Sequence, residues 1–70
     1  MDILIEHIKN FINDGYASSP EDIIDEIANF VGEAYSGEAK EIYAEMVDKV
    51  FSVMSITEPN GSVHYIIKVK

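Results

Sequence analysis

The hydrophobic period changes once along this chain, and that change dictates the fold class. Up to about Val53 the apolar residues recur at helical spacing, and from Met54 onward they alternate with polar ones. Met1, Leu4, Ile5, Ile8, Phe11 and Ile12 fall at i, i+3, i+4, i+7, i+10 and i+11, one face of an α-helix. Asn13-Asp14-Gly15 supplies its stop, because glycine enters the left-handed conformation of a helix C′ position without steric cost. Ser19-Pro20-Glu21-Asp22 then reads as a helix start. Ser19 can cap free N–H groups, Pro20 at the first helical position loses no bond, and two carboxylates meet the positive end of the dipole. The apolar face that follows is Ile23, Ile24, Ile27, Phe30, Val31 and Ala34. Ser36-Gly37-Glu38 opens a third helix, predicted from about Gly37 to Val53, with a stripe of Ala39, Ile42, Tyr43, Met46, Val47, Val50, Val53 and Met54. The width of that stripe predicts a central helix touching both others and the segment that follows.

Two alternating runs flank Pro59-Asn60-Gly61-Ser62, the pattern of a β-hairpin. Treating those four residues as the loop pairs Glu58 with Val63, Ile56 with Tyr65 and Met54 with Ile67. It leaves His64 on the outward face opposite Thr57. The expected fold is therefore α+β: a three-helix bundle followed by a C-terminal two-stranded antiparallel β-hairpin, one domain over residues 1–70. Phe11, Phe30, Tyr43 and Tyr65 fall on the faces expected to form the core.

Seventy residues can bury only one small core, worth about 3–5 kcal/mol net. Small domains often add a disulfide, a metal or a second subunit, and the absence of cysteine removes the first of these together with thiolate metal sites. No apolar run approaches the roughly 20 residues of a membrane span, and the first residues have no basic region of a secretory signal. A cytoplasmic protein is the expectation.

Charge narrows the function classes further. Thirteen acidic residues face five lysines and no arginine, for a formal charge of −8. Nucleic-acid backbones are bound by clustered cations that release counterions, so direct nucleic-acid binding is not expected. Anionic membrane surfaces would repel the chain as well. The partners such a field attracts are basic protein surfaces. Seven acidic residues and no basic one lie between Lys9 and Lys40. Asp22, Asp25, Glu26 and Glu33 on the second helix, and Glu38, Glu41, Glu45 and Asp48 on the third, form rows with side chains about 5–6 Å apart. That spacing is close to that of phosphates along a nucleic-acid strand. Such rows also keep a small protein soluble. Tyr16, Tyr35 and Phe51 fall off the apolar stripes, as does Ile66. The three aromatics are the candidate anchors of a protein interface.

Nothing in the chain reads as catalytic or metal-binding, and no cofactor is implied. His7 and His64 are isolated, no calcium-loop or zinc spacing occurs, and the four glycines are scattered at element ends. Ser36 is explained by helix capping. The last strand leaves an edge on which a homodimer could form, with Lys68 and Lys70 protecting it.

The order helix-helix-helix-hairpin resembles a winged helix over the whole chain. In that fold the third helix reads DNA and is basic, whereas here Glu38, Glu41, Glu45 and Asp48 outnumber Lys40 and Lys49. The resemblance therefore implies a protein-binding variant. In size and acidity the chain is also similar to small phage and mobile-element inhibitors, among them anti-CRISPR and DNA-mimic proteins. The resulting expectation is a non-enzymatic, acidic module that docks on a basic surface of a larger, nucleic-acid-binding protein. The alternative is a small structural or self-associating protein whose acidity serves solubility.

Overall fold

The computed structural model describes residues 2–32 and 36–70 and places three helices ahead of a two-stranded antiparallel hairpin. Helix α1 spans Asp2–Asn13, α2 Pro20–Val31 and α3 Ser36–Met46; strands β1 and β2 span Phe51–Thr57 and Val63–Val69. The core is Leu4, Ile8, Ile12, Ile23, Ile27, Ala39, Met46 and Phe51. Helical periodicity selects these residues: Leu4, Ile8 and Ile12 lie four apart on α1, as do Ile23 and Ile27 on α2. The main packing joins α2 to α3, and α1 to both α2 and β2. Helix α1 thus approaches both another helix and the hairpin, and α3, packed on α2, reaches the hairpin through the Tyr43 ring beside Phe51.

The ends of α1 and α2 follow from local chemistry. Gly15 has φ 86°, its N–H donates to the Ile12 carbonyl at 3.0 Å, and the Tyr16 N–H donates to the Phe11 carbonyl at 3.2 Å. These are the two bonds of a Schellman cap. Its apolar contact is also present, since the rings of Phe11 and Tyr16 stack with centroids 5.8 Å apart. At α2, Ser19 accepts from the Asp22 N–H, and the Asp22 carboxylate reaches back to the Ser18 N–H at 3.0 Å and the Ser18 hydroxyl at 2.7 Å. This is a reciprocal cap of the capping-box type, displaced by one residue.

Helix α3 stops at Met46, seven residues short of the expected Val53. The cause is Asp48, which sits at φ 70° in the left-handed region that aspartate tolerates better than most residues. Its N–H donates to the Phe51 carbonyl at 2.7 Å and turns the chain into β1. Val50, Val53 and Met54 therefore belong to the hairpin or its approach, not to a helical stripe. The return strand is held to the same turn, with the Lys70 N–H donating to the Val50 carbonyl.

The hairpin register is one residue away from the expected one. Thr57 pairs with Val63, Ile56 with His64, Ser55 with Tyr65, Met54 with Ile66, Val53 with Ile67 and Phe51 with Val69. The turn explains the shift. The Gly61 N–H donates to the Glu58 carbonyl, closing a turn with Pro59 and Asn60 at its centre, and Gly61 follows at φ 90°. The Glu58 N–H donates to the Ser62 carbonyl, so Ser62 is the closing partner and not a loop residue. A turn followed by a left-handed glycine is the three-residue loop with a G1 bulge. Because side chains alternate, one residue of slip exchanges the faces of one strand relative to the other. Phe51, Val53, Tyr65, Ile67 and Val69 share the inner face, while Met54, Ile56 and Ile66 share the outer face with His64 and Lys68. His64 accordingly stands beside Ile56, not Thr57.

Burial fades from the root of the hairpin to its tip. Phe51 is fully buried, Val53, Ile67 and Val69 pack against the core, and Thr57 and Val63 are exposed. A strand of seven residues is about 23 Å long, more than the helices cover. The molecule is accordingly elongated, 39 Å by 24 Å by 19 Å.

Candidate protein-interaction surfaces

Two exposed surfaces of opposite character result, one charged on the helices and one apolar on the hairpin. Helices α2 and α3 place Glu21, Asp25, Glu38, Glu41 and Glu45 in solvent. A shallow depression of about 400 Å³ lies between the two helices, lined by Glu21, Ile24, Asp25 and Lys40. Among the described residues no lysine is paired with a carboxylate; the close contacts of this kind both involve histidine. The exposed carboxylates thus carry their full charge outward. Along α3 Glu38, Glu41 and Glu45 are three and four residues apart, where like charges destabilise a helix by a few tenths of a kcal/mol per pair.

Several of the expected interface carboxylates have internal partners. Asp22 is held by Ser18, whose hydroxyl and N–H bonds keep its carboxyl below the ordinary aspartate value, with Ser19 adding to the effect. Glu26 lies 3.2 Å from the His7 ring and so ties α2 to α1. The same histidine ring stands 5.2 Å from that of Phe30. Asp48 is exposed but lies past the end of α3, in the turn, and does not extend the row of Glu38, Glu41 and Glu45. Glu33 and Tyr35 lie outside the described residues.

The aromatic expectations divide in the same way. Tyr16 is 68% exposed, and its ring also completes the cap of α1. Phe51 is no interface anchor: it has no exposed surface and lies 5.7 Å from the Tyr43 ring. It fell off the helical stripe because it is a strand residue. Phe30 and Tyr65, expected in the core, are 45% and 39% exposed. Tyr43 is half-buried, and loss of water around its hydroxyl, reinforced by Asp48 and Tyr65, raises its pKa above the ordinary tyrosine value.

The apolar surface is the part that sequence reasoning missed. Met54, Ile56 and Ile66 are exposed at 61%, 46% and 40% and adjoin one another across the outer face of the hairpin. On the inner face beyond the core, Val63 and Tyr65 are exposed as well. The signal was present in Pro59-Asn60-Gly61, whose glycine marks a bulge, and in Ile66, which lay off the expected apolar face.

Among the described residues no three His, Asp or Glu side chains converge as a metal site, and no helix is long and apolar enough to cross a membrane. No protein-family model, curated protein or solved structure matches this chain.

Proposed function

We propose that the protein is a small acidic binding module that docks through α2 and α3 on a basic surface of a larger protein. By size and acidity it is of the inhibitor type found among phage and mobile elements, and a nucleic-acid-binding protein is the natural target. The observation that carries this reading is the set of solvent-facing carboxylates Glu21, Asp25, Glu38, Glu41 and Glu45 on two adjacent helices, none of them paired with a lysine among the described residues, with Lys40 the cation beside them. Their mutual repulsion works against the helices, and a cationic partner relieves it. Ile24, which lines the depression together with Glu21 and Asp25, offers aliphatic contact to the stem of an inserted lysine or arginine. The exposed ring of Tyr16 is available as an anchor beside α2. Asp22 and Glu26 support the surface by fixing the cap of α2 and the α1–α2 contact. On this reading the protein performs no chemistry of its own; it competes for the groove in which its target holds nucleic acid.

A tagged pull-down from a host lysate, washed across a salt series, tests the proposal. The expected result is a nucleic-acid-binding protein that elutes steeply with salt and is lost when Glu21, Asp25, Glu38, Glu41 and Glu45 are replaced by Gln or Asn. Retention of the same partner by that variant would overturn the electrostatic reading. A second reading, a self-associating protein whose acidity serves solubility, is favoured by one observation, the exposed apolar face of the hairpin.

A further inference from the structure

The acidity of the chain is confined to one part of it. Twelve of the thirteen acidic residues and three of the five lysines precede Phe51, so residues 1–50 hold a formal −9. The hairpin carries Glu58 against Lys68 and Lys70, a formal +1. Two copies of this protein repel through their helices, and the hairpin is where they can approach. Five of the eight large apolar side chains exposed among the described residues are on it, Met54, Ile56, Val63, Tyr65 and Ile66, while Ile3, Tyr16 and Phe30 stand apart on the helical part. A basic partner drawn to the helices finds no counter-charge on this face beyond Glu58.

The outer face is arranged in rows. From root to tip these are Ser52 with Lys68, Met54 with Ile66, Ile56 with His64, and Glu58 at the turn. Glu58 lies on this face, because its carboxylate reaches the His64 ring at 3.2 Å. An apolar centre is thus flanked by a cation at one end and an anion at the other, about 20 Å apart along the strand. That pattern is self-complementary. If a second hairpin is laid face to face and antiparallel about a two-fold axis, Met54, Ile56 and Ile66 meet their counterparts, and each Lys68 meets the other copy's Glu58. A parallel arrangement would set lysine against lysine. Two strands alone are marginal in water, and a second pair of strands covers the face that the helices leave open.

We infer that this outer face is a self-association surface whose occupant is a second copy of the chain, docked antiparallel through Met54, Ile56 and Ile66 with Lys68 opposite Glu58. The inference deepens the second reading above and is independent of the acidic helices. The face is small against the roughly 800 Å² per partner of a stable interface, so the dimer is weak and forms in roughly the 10 µM to 1 mM range.

Sedimentation equilibrium from 10 µM to 1 mM, about the range above, is the test, with helical circular dichroism as the check on folding. The wild-type mass should rise toward twice the monomer. Ile56→Thr with Ile66→Thr, which keeps β-branching at exposed positions, should raise the dissociation constant at least about tenfold. Val63→Thr on the opposite face should leave it unchanged. Glu58→Lys alone should weaken the dimer, and adding Lys68→Glu should restore it. Glu41→Gln with Glu45→Gln on α3 should not abolish it, which separates this surface from the one proposed for a basic partner. A monomer throughout the range would overturn the inference. So would a dimer indifferent to the Ile56 and Ile66 substitutions, or one weakened further by the charge swap.

Discussion

The two faces of the hairpin are covered very differently. At the root of the inner face Phe51 is fully enclosed, with Val53, Ile67 and Val69 packed against helices whose Leu4, Ile8, Ile12, Ile23 and Ile27 are buried. On the opposite face, in the adjoining positions, Met54, Ile56 and Ile66 stand in water. The residue types are the same and the neighbours are not. Hydrophobic stabilisation follows the area removed from water, at about 25 cal/mol per Å², so the inner face contributes to folding and the outer face is left for something else. The charges divide likewise, with the carboxylates on the helices and a near-neutral hairpin beside them.

The sharpest way to break this contrast is to truncate one residue on each face. Phe51→Ala should cost about 3–5 kcal/mol, which is comparable to the entire stability of a domain this small. Ile56→Thr should change stability by less than about 0.5 kcal/mol. Urea titration followed by circular dichroism measures both, and similar losses at the two sites would refute the division. Smaller effects are expected at the turn that sets the register. Gly61→Ala places a Cβ at φ 90° and should destabilise by about 1–2 kcal/mol. Amide exchange should then rise in β1 and β2 more than in α1. At the end of α3, Asp48→Gly relieves a non-glycine residue at φ 70° and should stabilise by roughly 0.5–1 kcal/mol, whereas Asp48→Val should destabilise.

The pH dependence gives the smallest and most local test. The folded-state pKa of Asp22 is lowered by Ser18, so its contribution is present above the ordinary aspartate value and is lost as pH falls through the folded one. Ser18→Ala should flatten that part of the acid limb. The folded-state pKa of Tyr43 is raised, so its phenol favours folding up to about pH 10 and the contribution is lost as pH climbs past the folded value. Tyr43→Phe should remove this alkaline slope. Thermal unfolding across pH checks both.

How much of this was legible in the sequence depended on whether a turn announced itself through glycine, proline or serine. The start of α2 could be read from Ser19-Pro20-Glu21-Asp22, and the end of α1 from Gly15, because those residue types have few other local uses. The end of α3 could not, because the left-handed residue there is an aspartate and the valines around it fit either period. The hairpin itself was legible while its register was not. Gly61 served as a bulge instead of an ordinary loop residue, and that one residue decided which side chains faced the helices. The candidate site suffered accordingly. Exposed carboxylates are visible in any acidic helix, but the internal roles of Asp22 and Glu26 needed Ser18 and His7 to be placed in space. The outer face of Met54, Ile56 and Ile66 could be assembled only from the true register.

The central claim is that charge and apolar surface are separated, with the helices facing a basic partner and the hairpin facing a second copy. Titrating the ¹⁵N-labelled protein with an arginine-rich peptide, at low and high salt, tests it most directly. The account predicts saturable, salt-sensitive amide shifts at Glu21, Asp25, Lys40 and Glu41, with Met54, Ile56 and Ile66 unmoved. Shifts concentrated on the hairpin, or equal shifts over the whole molecule, would contradict it.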